Sequence, residues 1–130
     1  MSSDPSPAAP TVLIVEDDPR IADFMTRGLR ASGFVPEWVT TAAEALERIE
    51  TGGIAVQILD LGLPDFDGLV LMRRLIERGA TVPTVIVTAR TDPKDRAIAA
   101  SLGAQSYITK PFAFADLLAA VRACARQDSR

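Results

Sequence analysis

Carboxylates, a hydroxyl and a lysine recur at one kind of place in this chain, directly after a short apolar run. TVLIV is followed by Glu16-Asp17-Asp18, IAVQIL by Asp60, TVIV by Thr88, and the weaker run SYI by Thr109-Lys110-Pro111. Carboxylates gathered in one place repel one another unless a cation sits among them. A hard, oxygen-loving ion is the natural answer: Mg2+ takes one or two carboxylates, keeps several waters and accepts phosphate oxygens. Lys110 would add a positive charge and Thr88 a hydroxyl donor. Such a group suits in-line phosphoryl transfer, where positioning and charge neutralisation do nearly all the work. The nucleophile would be a carboxylate oxygen, giving an acyl phosphate. Each residue alone also has a plainer reading, because loops are solvated and helices need caps. Asp18 and Asp67 are well placed as caps, Thr88 as a β-branched strand end, and Lys110 as half of an ordinary salt bridge.

The chemistry depends on whether the chain folds so that these run ends meet. Thr11–Val15, Ile54–Leu59 and Pro83–Val87 are apolar without alternation, as strands covered on both faces should be. Val35–Val39 and Ser106–Ile108 are weaker strands. Between them lie helical spacings: Ile21, Phe24, Met25 and Leu29; Ala42, Ala45, Leu46 and Ile49; Leu69, Met72 and Ile76; a short stretch at 97–102; and Phe114, Leu117, Leu118 and Val121. Asp18-Pro19 and Asp92-Pro93 read as an N-cap followed by proline at the first helical position. Thr41 and Glu44 have the spacing of a capping box. Gly33, Gly52, Gly79 and Gly103 follow helical segments, where a left-handed cap is wanted. Five strand–helix units in strict alternation predict an α/β fold, an open parallel sheet with helices on both faces. In such a sheet the first and third strands are neighbours, so Asp17 and Asp60 converge at the carboxyl ends, where ligands bind.

Composition narrows the possibilities further. One domain accounts for 130 residues, with 48% hydrophobic and 24% charged content. Residues 1–10 (MSSDPSPAAP) read as a disordered tail, 11–127 as the domain, and 128–130 as a polar tail or the start of a linker. A net charge of −3 gives no global pull toward nucleic acid or anionic membrane. No apolar run approaches the roughly 20 residues that span a bilayer, and a secretory leader is not expected. A single cysteine, Cys124, permits no intrachain disulfide and suits the cytoplasm. The chain has no histidine, which removes His-ligated zinc, Ser–His and Cys–His pairs, and a phosphohistidine carrier. Trp38, Met25, Met72 and Cys124 read as packing residues.

The segments VLIVEDDP, ILDLGLPDFDG, VIVTAR and LGAQSYITKPF resemble, in order and spacing, the four signature stretches of bacterial two-component response-regulator receiver domains. The resemblance covers about residues 11–127. It implies a (βα)5 doubly wound sheet of flavodoxin-like strand order 2-1-3-4-5, as in the chemotaxis regulators. It implies that Asp60 is the phosphoacceptor, that Asp17 binds Mg2+ directly and Glu16 through water, and that Asp60 and the Gly62 carbonyl complete the metal set. Thr88 would hydrogen-bond the phosphoryl oxygen, and Lys110 would pair with Asp60 before transfer and with the phosphoryl group afterwards. The Lys110–Pro111 bond would be cis. Tyr107, read alone as a core-edge residue, would swing inward with Thr88.

The implied function is a phosphorylation-activated switch, not an enzyme with turnover on external substrates. Its donor would be a sensor histidine kinase or phosphotransfer protein. Its signal would leave through the fourth helix, fifth strand and fifth helix, with homodimerisation possible on that face. The phrase YITKPFAFADLLAAVRACAR resembles receivers joined to winged-helix domains, so an output domain or target outside this chain is expected, with no direct nucleic-acid or membrane binding. Gly62 and Arg90, two residues past Asp60 and Thr88, flank the site and are placed to affect water access. Rival readings fit less well. In an electron carrier of the same fold, Glu16-Asp17-Asp18 would repel the cofactor phosphate. A phosphatase with an aspartyl nucleophile needs a second carboxylate where Gly62 stands. A phosphorylation-independent interaction module would usually lack one of these residues, and none is lacking.

Overall fold

A computed structural model describes residues 9–128, with side chains through Arg126. Residues 1–8 and 129–130, most of the expected tails, lie outside the described residues. Ten elements follow in strict alternation: β1 Thr11–Val15, α1 Pro19–Ala31, β2 Val35–Val39, α2 Ala42–Glu50, β3 Val56–Leu59, α3 Gly68–Glu77, β4 Thr84–Thr88, α4 Pro93–Ser101, β5 Ser106–Thr109 and α5 Phe114–Asp128. The strands form one parallel sheet in the order β2-β1-β3-β4-β5. This is the doubly wound α/β fold expected from the sequence.

Strand parity sorts the core into two layers. Leu13, Val15, Leu59 and Ile86 pack with residues of α2 and α3 and with Ala99 of α4. Val12, Ile14, Val56, Ile58, Val85 and Val87 pack on the other side with α1 and α5. Runs buried on both faces are therefore apolar without alternation, as residues 12–15 of β1 and 85–87 of β4 are.

The local signals in the loops act as expected. Asp18 accepts from Arg20 N at 2.9 Å, with Pro19 opening α1. Thr41 and Glu44 form the capping box of α2. Asp67 caps α3 through Leu69 N at 2.8 Å, and Asp92 caps α4 through Lys94 N at 2.9 Å. Helix α4 consequently starts at Pro93, ahead of the short stretch its apolar spacing suggested. The bond Lys110–Pro111 is cis.

Three readings of side-chain placement need correction. Ile76 is 45% exposed; α3 buries Leu69 and Met72 as expected, but with Leu71 and Leu75 in place of Ile76. Phe24 is half exposed, because α1 turns Ala22, Met25 and Leu29 to the core and leaves Phe24 against the rings of Phe112 and Phe114. Trp38 is 45% exposed on the edge strand β2, so it is not a core residue. Met25, Met72 and Cys124 are buried packing residues as expected.

Candidate functional site

The site is assembled by the register of adjacent parallel strands. Val15 lies opposite Leu59, so Glu16 and Asp60 leave β1 and β3 side by side. Two backbone bonds fix those exits: Asp60 N donates to the Val15 carbonyl at 3.0 Å, and Glu16 N to the Val39 carbonyl at 3.1 Å. Across the sheet, Lys110 N donates to the Thr88 carbonyl at 2.8 Å, anchoring the base of the lysine just past β5. Its ammonium then reaches back over β4. Lys110 Nζ lies 2.9 Å from Asp60 Oδ2 and 2.8 Å from Glu16 Oε1.

Glu16 is 1% exposed and Asp60 7%, whereas Asp17 stands in solvent. Each of the three offers a carboxylate oxygen within 4.8 Å of the others. Burial pushes the Glu16 carboxyl above its ordinary 4.5, and the Asp60 charge adds to that rise. The Lys110 contact and the Asp18 N–H, which donates to Glu16 Oε2 at 3.0 Å, oppose it. For Lys110, burial works to lower the pKa, but the hydrogen bonds and charges of Glu16 and Asp60 outweigh it and hold the ammonium above its ordinary 10.5.

Three carboxylates set against one ammonium leave the cluster two negative charges in excess. Glu16 Oε1 is fully buried and faces the Lys110 ammonium at 2.8 Å. An oxygen-only donor set with surplus negative charge, partly withdrawn from solvent, fits a hard divalent cation such as Mg2+.

The loop after Asp60 is tightly folded. Gly62 N donates to Asp60 Oδ1 at 3.1 Å. Gly68 N donates to the Leu61 carbonyl at 2.9 Å. A Cβ on Gly68 would lie 2.9 Å from the Asp60 carbonyl oxygen, so glycine is what lets α3 start directly against the end of β3.

Thr88 is buried at the end of β4, and its Oγ1 accepts from Arg90 N at 3.3 Å. Half-buried Tyr107 donates its hydroxyl to the Arg90 carbonyl at 3.0 Å, with the Arg96 guanidinium 4.6 Å over its ring. Thr88 and Tyr107 are thus joined through the backbone of Arg90. Its side chain makes a further bridge, to Asp67 Oδ2 at 2.7 Å and to the Leu61 carbonyl at 3.3 Å. The structure brings Glu16, Asp17, Asp60 and Lys110 together, with Gly62 bonded to Asp60, and sets Thr88 and Tyr107 on the β4–β5 side.

Three long-range ties were not read from the sequence. Besides the Arg90 bridge, Asp65 accepts from Ala42 N and Ala43 N, both at 2.9 Å, which ties the β3–α3 loop to the start of α2. Trp38 Nε1 donates to the Glu16 carbonyl at 2.6 Å. Their only sequence signals are an acid in a loop, an arginine two residues past Thr88 and a tryptophan in the weak second strand.

A model of the response regulator receiver domain matches residues 12–122. Among similar curated proteins are the transcriptional activator protein IrlR of Burkholderia pseudomallei and the transcriptional regulatory protein BasR of Escherichia coli. The first is 39% identical over 116 residues (89% of this chain, 50% of IrlR) and the second 38% identical over 116 residues (89% of this chain, 52% of BasR). The chain spans about half the length of these curated relatives. A CheY-like response regulator receiver domain protein from Methanospirillum hungatei superposes with a TM-score of 0.86 at 27% identity, covering 93% of this chain and 97% of that one. The non-phosphorylated HemR receiver domain from Leptospira biflexa superposes at 0.82 with 28% identity, covering 89% and 94%. No described helix is long and apolar enough to cross a membrane.

Proposed function

This chain belongs to the response-regulator receiver domain family, and on that premise we propose that Asp60 is its phosphoacceptor in a Mg2+-dependent switch. One observation carries the reading: Lys110 Nζ bridges Asp60 Oδ2 and Glu16 Oε1 beside the exposed carboxylate of Asp17. Glu16, Asp17, Asp60 and the Gly62 carbonyl would hold the metal, Asp17 directly and Glu16 through water. When bound, Mg2+ would neutralise charge on the phosphoryl oxygens and align them for displacement.

The chain's own residues account for the rest. A carboxylate oxygen of Asp60 attacks the phosphorus of a phosphohistidine on a partner kinase or phosphotransfer protein. The new O–P bond forms as the P–N bond breaks, and the imidazole leaves with the electron pair and takes a proton. Lys110 shifts its charge from the carboxylate to the phosphoryl group. Thr88 turns its hydroxyl to a phosphoryl oxygen, and Tyr107 follows through Arg90. That rearrangement biases a two-state surface formed by α4, β5 and α5, where a second copy or an output domain would dock. The chain would act in the cytoplasm, promote only its own phosphorylation and dephosphorylation, and contact no nucleic acid itself.

The test is intact-protein mass after incubation with acetyl phosphate, with and without Mg2+, on wild type and Asp60→Asn. One phosphoryl adduct that needs Mg2+ and is absent from the variant is expected. Equal labelling of the variant would refute the assignment.

A further inference from the structure

The Glu16 carbonyl has a partner that strand pairing does not supply. Along the β1–β2 ladder, Val35 N donates to the Pro10 carbonyl at 2.9 Å and Glu16 N to the Val39 carbonyl at 3.1 Å. Parallel pairing advances two residues per rung, so the next rung would place Thr41 N on the Glu16 carbonyl. That N–H is committed elsewhere: it donates to Glu44 Oε1 at 3.2 Å within the α2 capping box. The vacated position is filled by a side chain, Trp38 Nε1, at 2.6 Å.

Burial does not account for this tryptophan, which is 45% exposed on the edge strand. Its hydrogen bond does. The Glu16–Asp17 peptide is planar, so fixing its carbonyl fixes the whole unit that joins the buried acid to the exposed one. The other polar groups of Glu16 are already engaged: its N–H by Val39, Oε2 by Asp18 N and Oε1 by the charge of Lys110. Without the indole, rotation about this peptide would be the remaining freedom between the end of β1 and the Asp18 cap.

We propose that Trp38 is a positioning residue for the acidic pair, its indole N–H holding the Glu16–Asp17 peptide so that the cluster binds a divalent cation tightly. The inference rests on the metal reading above and deepens it. Groups that orient metal ligands typically change affinity ten-fold or more when removed. Replacing Trp38 with the isosteric benzothienylalanine removes the N–H and keeps the ring shape; Trp38→Phe serves as a genetically simpler companion.

Titration of the full chain with Mn2+, read as loss of the free-ion electron paramagnetic resonance signal, should show about ten-fold weaker binding for the isostere. Wild type holds one tryptophan, so its sole indole N–H resonance is a direct second readout. That resonance should shift saturably with Mg2+, and the shift should disappear in Asp17→Asn. Equal Mn2+ affinities for wild type and the isostere would overturn the inference alone. Absence of Mn2+ binding by wild type would overturn it together with the metal reading.

Discussion

Gln57 and Asp60 stand three residues apart on or just past β3, and both are buried, yet for different reasons. Gln57 is 0% exposed in the middle of the sheet; its Nε2 donates to Thr84 Oγ1 at 3.1 Å, and its Oε1 has no partner among the described residues. Thr84 does not depend on it, since its hydroxyl donates to the Val82 carbonyl at 3.0 Å. Asp60 sits at the strand's carboxyl end, shares one ammonium with a second buried acid, and faces a third in solvent. A buried amide with one unmet acceptor costs about 1–3 kcal/mol. A cluster with surplus charge costs more unless geometry and ions offset it. Polarity at Gln57 is a local compromise; polarity at Asp60 is part of a charged cluster.

The sharpest way to break that contrast is to remove both. Asp60→Asn should lose all phosphoryl labelling while keeping or raising its melting temperature, because it relieves repulsion with Glu16 and leaves Lys110 paired. Gln57→Leu should keep full labelling and stay within about 1 kcal/mol of wild type or gain stability, since a similar volume is filled and no charge is disturbed. Thermal melts and intact mass on the two variants check this. A clear loss of labelling in Gln57→Leu would show that the amide serves the site after all.

Next in size is Lys110→Met, which leaves two buried carboxylates facing each other without their cation. A loss of about 3 kcal/mol at pH 8 is expected by urea denaturation. Its pH dependence has a definite sign. Glu16 already sits above 4.5 because of burial, and losing Lys110 raises it further. A carboxyl whose folded pKa is raised binds its proton more tightly when folded, so stability falls as pH rises from about 4.5 through the folded value. The deficit of the variant should therefore shrink between pH 8 and pH 5. An equal deficit at both would mean that repulsion between the acids is not its cause.

How much of this was legible follows the same divide. The apolar runs, the cap residues and the four signature stretches are local, and they gave the ten elements and brought Glu16, Asp17, Asp60 and Lys110 together. Periodicity failed where one residue of rotation separates core from solvent: Ile76 has the spacing of Leu69 and Met72, yet Leu71 and Leu75 join those two on the buried face and Ile76 does not. Spacing groups Phe24 with Ile21, Met25 and Leu29, whereas the Phe112 and Phe114 rings beside it come from a distant segment. Trp38, Asp65 and Arg90 were out of reach because each bonds to partners brought near only by the fold.

Asp65 marks the small end of the comparison, a carboxylate with a purely local task. It is exposed, yet its two oxygens accept from Ala42 N and Ala43 N at the start of α2. Burial works to raise its pKa, but those N–H bonds outweigh it and hold the carboxyl below the ordinary 3.8. A helix N-terminus favours a negative group by about 0.3–1 kcal/mol, and solvent keeps an exposed pair toward the low end. Asp65→Asn should cost about 0.5 kcal/mol at pH 7 and leave Mg2+-dependent labelling intact. The sign is opposite to that of Glu16: a carboxyl with a lowered folded pKa contributes stability above 3.8 that is lost as pH falls through the folded value. Urea curves at pH 7 and pH 3 should show the difference between wild type and variant closing in acid. A difference that stayed constant would assign the effect to altered hydrogen-bond geometry instead of charge, and the loop-to-helix tie would then not be electrostatic.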